Sequence, residues 1–263
     1  MTKPIALSRR RLLAALAAGT LSAPLLARPK AEVKAIAFDA FVLFDPRTIL
    51  EKARMLAGDK AESLVKTASA KLFAYTWYVT SARKYEGFET LVDDAFRYAG
   101  HMQGLELKDG DYKDLVEAYS MLRAWPDVAP ALDLLGARGI RLAVLSNFSE
   151  AMLRANLRAN GIEHRFEAVL STDKASKFKP APEAYALGPR ALGLGVREIG
   201  FAASAGWDAS GATWFGFPTA WINRSHEPLE PAHAEPAIVS GNMEGVLRLA
   251  GVPASGAART AAS

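Results

Sequence analysis

The 263-residue chain contains no cysteine. Disulfide bonds, thiol catalysis and cysteine-ligated metal sites are therefore excluded. Histidine is scarce as well, and its four copies lack the spacings of metal-binding motifs, which favours surface positions for His101, His164, His226 and His233. The sequence predicts no metal site and no bound cofactor.

The chain also lacks a glycine-rich turn after its first predicted strand. Gly193 and Gly195 form the pair that most resembles a dinucleotide-binding fingerprint. They follow a predicted helix, whereas that fingerprint follows a strand and opens a helix. We therefore interpret them as part of a loop.

The formal charge of +4 falls entirely within the first residues. Residues 1–27 hold four basic residues and no acidic one, so the remainder of the chain carries no net charge. A neutral body argues against electrostatic binding of nucleic acid. With 50% hydrophobic residues the chain can bury a sizeable core, as one large domain or as a core with a smaller one.

Residues 1–27 resemble a twin-arginine (Tat) export signal. The basic residues Arg9 to Arg11 precede an apolar stretch that runs from Leu12 to about Ala27. This stretch is short and rich in alanine and glycine, which favours a cleaved signal over a permanent membrane anchor. We expect a bacterial periplasmic protein with no stable membrane association after the signal is removed.

Asp39 follows the apolar segment 33–38, which reads as a β-strand. Ligands of open α/β sheets bind beyond the carboxyl ends of the strands, so an aspartate there can act as a nucleophile. The alternative is that Asp39 only caps the following turn.

The segment from about 46 to 125 lacks strand-like alternation and is predicted to be helical. Apolar residues at three- and four-residue spacing mark three helices, at 62–85, 88–102 and 111–124.

From Pro126 onward, helices and strands alternate, which predicts a mostly parallel sheet with right-handed crossovers. Helices are predicted at 128–138, 149–160, 182–192, 208–215 and 242–249, and strands at 141–146, 166–171, 199–203, 218–222 and 237–239. The fold class is therefore α/β. We expect an α/β core at 33–46 and 126–251, a helical cap at 47–125 and a disordered tail at 252–263.

Three later strands also end in polar residues. The first ends in Ser146-Asn147, the second is followed by Lys179-Pro180, and the third by Trp207-Asp208. This order of strand ends resembles the haloacid dehalogenase superfamily. The segments 73–77, 206–208 and 215–224 are similar to its type II branch, the hydrolytic L-2-haloacid dehalogenases, and the resemblance covers about residues 33–224.

The resemblance implies a Rossmann-like core with an inserted helical cap, a site without a cofactor, and the following roles. Asp39 would attack C2 of a small 2-haloacid and form an ester, Lys179 would pair with Asp39, and Asp208 would orient the hydrolytic water. On the substrate side, Ser146 would bind the substrate carboxylate, Asn147 would line the halide site, and Tyr185 would form a hydrogen bond near Lys179. Phe41, Phe88 and Trp207 would supply apolar walls.

Several of these residues also have an interpretation that requires no role in catalysis. Lys179 could be a solvated loop lysine, and Ser146 could be a helix N-cap. Tyr185 and the three apolar residues could serve packing alone. The resemblance also implies a small-molecule substrate as the binding partner. Members of the family commonly form homodimers.

The chain departs from the type II pattern at several positions. The first turn is one residue shorter and lacks the family's threonine, and Ser69 stands where the family has a cap arginine. Lys66, one helical turn earlier, is a poor replacement because a lysine matches a planar carboxylate less well than an arginine. Ala203 and Ala205 replace polar residues at the third strand end.

Three hypotheses follow. The first is a divergent type II haloacid dehalogenase-like hydrolase that converts a 2-haloacid into a 2-hydroxy acid. The second is an exported, catalytically degenerate relative that binds a small carboxylate. The third is a phosphatase-like hydrolase, which Phe41 disfavours because phosphatases of the superfamily have a second aspartate at that position.

Overall fold

The central sheet has six parallel strands in the order β5-β4-β1-β6-β7-β8, and β2 and β3 form a separate antiparallel pair. A computed structural model describes residues 32–253. The strands are β1 (Ala35–Phe38), β2 (Phe44–Asp45), β3 (Arg123–Ala124), β4 (Arg141–Ser146), β5 (Ala168–Ser171), β6 (Ile199–Ala203), β7 (Thr219–Ile222) and β8 (Ile238–Ser240). The parallel α/β fold predicted from the sequence is confirmed.

Helices cover both the insert and the connections between strands. They are α1 (Ala40–Leu43), α2 (Arg47–Ala57), α3 (Ala61–Ala82), α4 (Phe88–Met102), α5 (Asp109–Ala118), α6 (Val128–Ala137), α7 (Glu150–Ala159), α8 (Pro182–Tyr185), α9 (Leu187–Leu192), α10 (Gly206–Phe215) and α11 (Glu244–Leu249). Within residues 32–253, no helix is long and apolar enough to cross a membrane. The predicted export signal and residues 254–263 of the predicted tail lie outside the described range.

Strand β1 lies at the centre of the sheet and is completely buried. Its last residue, Phe38, pairs in register with Val144 of β4 and with Ala202 of β6. Strands β4 and β5 lie on one side of β1 and strands β6, β7 and β8 on the other. The strand order reverses at β1, so its carboxyl end is the switch point at which α/β proteins bind ligands. Asp39 is the first residue beyond that end.

The insert contains more structure than its apolar periodicity predicts. Helix α2 was not among the predicted helices, and the helix predicted at 111–124 ends at Ala118. Its last predicted residues instead form β3, which pairs with β2 in the register Phe44 to Ala124. A two-residue pairing is too short to produce an alternating pattern, which explains why the sequence missed it.

The predicted helix 182–192 is divided into α8 and α9 at Ala186. Pro189 has no N–H group and cannot donate to the carbonyl of Tyr185, four residues earlier, so the helix cannot continue without a break. The division leaves Tyr185 as the last residue of α8.

Two asparagines, the buried Asn156 and the half-buried Asn160, hold the chain where it returns from the insert. Asn156 on α7 accepts a hydrogen bond from the Leu122 N–H at 2.8 Å and donates to the Tyr119 carbonyl at 2.7 Å. One turn later, Asn160 accepts from the Ala124 N–H at 2.8 Å. Because such bonds satisfy the polar groups of a buried loop, they hold the insert against the sheet layer. One continuous hydrophobic core includes residues of both β1 and α4.

Candidate active site

Asp39 lies at the carboxyl end of β1 and begins the single turn of α1. Its Oδ2 atom accepts a hydrogen bond from the Phe41 N–H at 3.0 Å, so Asp39 is the N-cap of that turn. The residue is 7% exposed and lines a cavity. Capping and a role in catalysis were considered as alternatives, but the geometry is compatible with both.

Lys179 lies directly behind Asp39 and is 1% exposed, so the interpretation as a solvated loop lysine is wrong. Its Nζ donates to Asp39 Oδ1 at 2.8 Å and to Asp208 Oδ2 at 2.7 Å. Burial by itself lowers the pKa of Lys179, but the charges and hydrogen bonds of Asp208 and Asp39 outweigh it and raise the pKa above its ordinary value. The lysine therefore remains a cation at neutral pH.

Asp208 lies in the first turn of α10 and is 1% exposed. Burial raises the pKa of its carboxyl group to about 6, and the charge of Asp39 adds to the rise, while Lys179 and Tyr185 oppose it. The Tyr185 hydroxyl donates to Asp208 Oδ1 at 2.7 Å. Burial, together with Asp208, holds the pKa of Tyr185 well above its usual value, so the phenol remains a donor.

Tyr185 forms a hydrogen bond next to Lys179, as predicted, because both side chains donate to Asp208. It was also predicted to bind substrate, but Tyr185 is not among the residues that line the cavity. It is fully buried behind Asp208. Its hydroxyl group contacts the Asp208 carboxylate and not the cavity.

Two serines also contact Asp39. Ser204 Oγ donates to Asp39 Oδ2 at 2.9 Å, and Ser146 Oγ approaches Oδ1 at 3.4 Å. Ser146 is not a helix N-cap, because the hydroxyl of Ser149 caps α7 by accepting from the Met152 N–H at 3.2 Å. No role was predicted for Ser204 from the sequence, although its position one residue after β6 marks it as a strand-end residue.

Asn147 connects the ends of β4 and the Lys179 loop. Its Oδ1 accepts a hydrogen bond from the Lys179 backbone N–H at 3.0 Å, which leaves the amide nitrogen as the free end of the side chain. This Nδ2 atom is buried and has no partner within residues 32–253. An unpaired buried donor is costly, so a ligand acceptor would stabilise it.

The cavity in front of Asp39 has a volume of about 260 Å³. The sheet side provides Asp39, Ser146, Asn147, Ser204 and Asp208, and the predicted wall residues Phe41, Phe88 and Trp207 all line it. Further aromatic residues that the sequence analysis did not identify complete the walls: Phe73, Tyr119, Trp125 and Phe148. These residues come from separate segments of the chain, so no local pattern marks them.

The insert contributes no positive charge to this cavity. Ser69 lines it, whereas Lys66 is exposed and does not. Arg224, which the sequence analysis also left without a role, borders the cavity after β7. Its guanidinium group binds Asp127 at 2.8 Å and 3.1 Å and stacks on Trp125 at 4.6 Å.

Chemically, the arrangement is a carboxylate held by a buried cation at the wall of an apolar cavity. Within residues 32–253, no three histidine or acidic side chains are grouped as metal ligands. Lys179 supplies the positive charge between the two carboxylates. Such a site can direct Asp39 at an electrophilic carbon.

Comparisons with known proteins agree with this geometry. Residues 33–216 match the family described as haloacid dehalogenase-like hydrolase. Haloacetate dehalogenase H-2 of Moraxella sp. is 32% identical over 194 residues, which are 73% of this chain and 87% of the relative. An (S)-2-haloacid dehalogenase of Burkholderia cepacia is 34% identical over 75% of this chain and 86% of the relative.

Solved structures are similar as well. A crystal structure of an L-2-haloacid dehalogenase superposes with a TM-score of 0.82 at 35% identity and covers 84% of this chain and 100% of its own. The L-2-haloacid dehalogenase of Xanthobacter autotrophicus with chloropropionic acid covalently bound gives a TM-score of 0.77 at 28% identity. That match covers 82% of this chain and 98% of the other.

Proposed function

Because this chain belongs to the haloacid dehalogenase-like hydrolases, we propose that it removes halide from C2 of a small 2-haloacid or a close derivative. The product is the corresponding 2-hydroxy compound. The observation that carries the proposal is the ion pair of 2.8 Å between Asp39 and the buried Lys179 at the wall of an apolar cavity. The covalently bound chloropropionic acid in the Xanthobacter relative supports a covalent route.

In the first step, a carboxylate oxygen of Asp39 attacks C2 of the substrate. The carbon–halogen bond breaks, its electron pair leaves with the halide, and an ester forms on Asp39 with inversion at C2. Lys179, Ser204 and the Phe41 N–H hold the carboxylate in one orientation. Holding a nucleophile in its reactive geometry lowers the entropic part of the barrier.

In the second step, water attacks the carboxyl carbon of the ester and not C2. Asp208 lines the cavity beside Asp39 and accepts one hydrogen bond at each oxygen, from Lys179 and from Tyr185. Each oxygen retains a further lone pair with which it can orient water and accept its proton. Cleavage of the ester restores the Asp39 carboxylate and releases the alcohol.

The aromatic walls make the carboxylate a better nucleophile. Phe41 packs edge-on against Phe148 with ring centroids 5.3 Å apart, and Phe88 stacks on Phe148 at 5.0 Å. Electrostatic interactions gain strength where water is excluded, so fixed donors replace the solvation of the reacting groups.

A catalytically degenerate relative is the second candidate, and three positions favour it. Ser69, Ala203 and Ala205 carry no charged group, and losing one preorganised donor typically lowers turnover by about a hundredfold to a thousandfold. The losses of turnover caused by several changes within one site do not multiply. In addition, Ser204 still supplies one hydrogen bond to the Asp39 carboxylate. We therefore retain the hydrolase as the proposal.

The test is release of halide from L-2-chloropropionate and L-2-bromopropionate by the full chain and by its Asp39→Asn variant. The proposal requires release by the parent, none by the variant, and equal rates with magnesium or with a chelator. Halide release that depends on magnesium would favour the phosphatase-like alternative. A folded parent that binds the acids without turnover would favour the degenerate relative.

A further inference from the structure

The Lys179 loop, residues 172–181, joins β5 to α8 and carries the cation of the site. Its first part is a 3₁₀ turn at Thr172–Ala175. The lysine Nζ contacts Asp39 at 2.8 Å and Asp208 at 2.7 Å. Because a lysine side chain is long and flexible, two short ion pairs at its end require that the backbone below it be held in place. The contacts that anchor the loop therefore determine how the cation is shared.

Two neighbouring peptide groups of the Lys179 loop are held by side chains from different elements. The Phe178 N–H donates to Thr80 Oγ1 at 3.1 Å, and Thr80 lies on helix α3 of the insert. The next N–H, that of Lys179 itself, donates to Asn147 Oδ1 at 3.0 Å, just beyond β4. Buried N–H groups need such partners. The insert and the sheet thus each fix one of the two peptide groups.

Tyr85, which follows α3 in the insert, contacts two further points of the same loop. Its hydroxyl donates to Asp173 Oδ1, and its ring stacks on Phe178 with the ring centroids 5.0 Å apart. Burial raises the pKa of Tyr85, and the hydrogen bond and charge of Asp173 raise it further, so the phenol remains a donor. A single residue of the insert thereby connects the 3₁₀ turn with the residue that precedes Lys179.

Thr80 uses its hydroxyl differently from another threonine of the same helix. Thr76, one turn earlier, is fully buried and donates to the Phe73 carbonyl at 2.8 Å. A bond of that kind stays within the helix. The Thr80 hydroxyl instead accepts from Phe178, which lies 98 residues further along the chain. The packing of α3 by itself does not require this contact.

Resting on the proposed function, we propose that Thr80 and Tyr85 are positioning residues of the dehalogenation reaction. They hold the Lys179 loop so that one cation serves both Asp39 and Asp208. Neither Thr80 nor Tyr85 is among the residues that line the cavity, so they act through the lysine and not on the substrate. If Lys179 is displaced, Asp39 loses its fixed orientation, and ionised Asp208 loses a cation that stabilises it. The insert thus fixes the charge of the site in addition to forming a wall of the cavity.

The experiment replaces the accepting hydroxyl of Thr80 by a methyl group of similar size. In Thr80→Val we expect kcat for halide release from L-2-chloropropionate to fall by about tenfold and KM to change by less than about threefold, because orientation is lost and not a substrate contact. The carboxyl group of Asp208, followed by carbon nuclear magnetic resonance, should titrate at a higher pH than in the parent, since its cation lies farther away. Thr80→Ser keeps the hydroxyl and should restore both quantities.

Two further variants make the test specific to the loop. Tyr85→Phe keeps the stacking on Phe178 and removes the hydrogen bond to Asp173, so kcat should fall by about threefold to tenfold with little change in KM. Thr76→Val is the matched control, because it removes a hydroxyl bond that stays within α3. Its kcat and its Asp208 titration should equal those of the parent, and thermal unfolding shows that each variant is folded.

The inference is overturned if Thr80→Val and Thr76→Val have equal effects, or if Thr80→Ser loses as much activity as Thr80→Val. The Asp208 titration separates this inference from the proposed function because it requires no turnover. A folded parent that releases no halide overturns the proposed function. An Asp208 titration that Thr80→Val does not move overturns the positioning of Lys179.

Discussion

The carboxylate of Asp39 has polar partners on both oxygens, three from distant parts of the chain and one from the turn that Asp39 begins. Lys179 and Ser146 contact Oδ1, while Ser204 and the Phe41 N–H contact Oδ2. A buried carboxylate that lost its cation would be destabilised by about 3–5 kcal/mol. The site thus depends on a few contacts, each of which can be tested by itself.

Ser204 is expected to position the nucleophile. Ser204→Ala removes a hydrogen bond of 2.9 Å to Asp39 Oδ2, so kcat for halide release should fall by about tenfold to a hundredfold because the carboxylate loses its fixed orientation. KM should change little.

Ser210→Ala is the matched control. Ser210 is more deeply buried than Ser204, and its hydroxyl donates to the Gly206 carbonyl within α10 and not to Asp39. Its kcat should stay within about threefold of the parent. Equal losses in the two variants would mean that Ser204 acts through packing and not through Asp39.

The pH profile is expected to report the ionisation of Asp208. Its pKa is raised to about 6, mainly by burial, and only the ionised form can accept the proton of the hydrolytic water. The kcat for halide release should therefore rise as the pH increases through about 6.

Tyr185→Phe tests this assignment without removing the carboxylate. The phenol stabilises ionised Asp208 through a hydrogen bond of 2.7 Å, so its loss should raise the pKa and move the acidic limb to higher pH. An unchanged limb, or a limb moved to lower pH, would show that another group controls the profile.

At the scale of elements, helix α10 is packed against the loop that holds Lys179. Gly211 faces that loop, and a Cβ atom there would lie 2.5 Å from Tyr185 Oη and 2.7 Å from Pro180 Cβ. Both distances are shorter than any ordinary contact. The absence of a side chain at Gly211 therefore allows Tyr185 to reach Asp208.

Gly211→Ala is expected to lower both stability and activity. Overpacking of this kind typically costs about 1–3 kcal/mol, and the displaced tyrosine would no longer hold Asp208. Thermal unfolding and halide release measure the two effects. Gly136→Ala in α6 is the control, because a Cβ there meets nothing within 4 Å and alanine favours a helix. A Gly211 variant as stable as the Gly136 variant would contradict this account of the packing.

A comparison of the predicted and observed helices and strands shows where the sequence was informative. Long periodic helices such as α4 were predicted with their observed limits, 88–102. The ribbon of β2 and β3 and the break before Pro189 were not, since two residues or a single missing N–H leave no periodic signal. Periodicity detects elements that bury a face over several turns, and it fails for shorter ones.

At the scale of the molecule, parallel strands bring their polar ends to one edge of the sheet. That rule, together with the family resemblance, predicted that Asp39, Ser146, Lys179 and Asp208 lie together, and they do. It could not predict that Tyr185 contacts Asp208, or that Arg224 is neutralised by Asp127, because these depend on side-chain packing between distant segments. The export signal remains a prediction.

In the proposed reaction, Asp39 forms an ester which water cleaves at the aspartyl carbon. A single turnover in water labelled with heavy oxygen, with enzyme in excess over substrate, tests it directly by mass spectrometry of the peptide containing Asp39 and of the product. An ester on Asp39 places the label in the Asp39 carboxylate and none in the new hydroxyl group of the product. Label in the product hydroxyl, with Asp39 unlabelled, would show that water attacks the substrate itself and that no ester forms on Asp39.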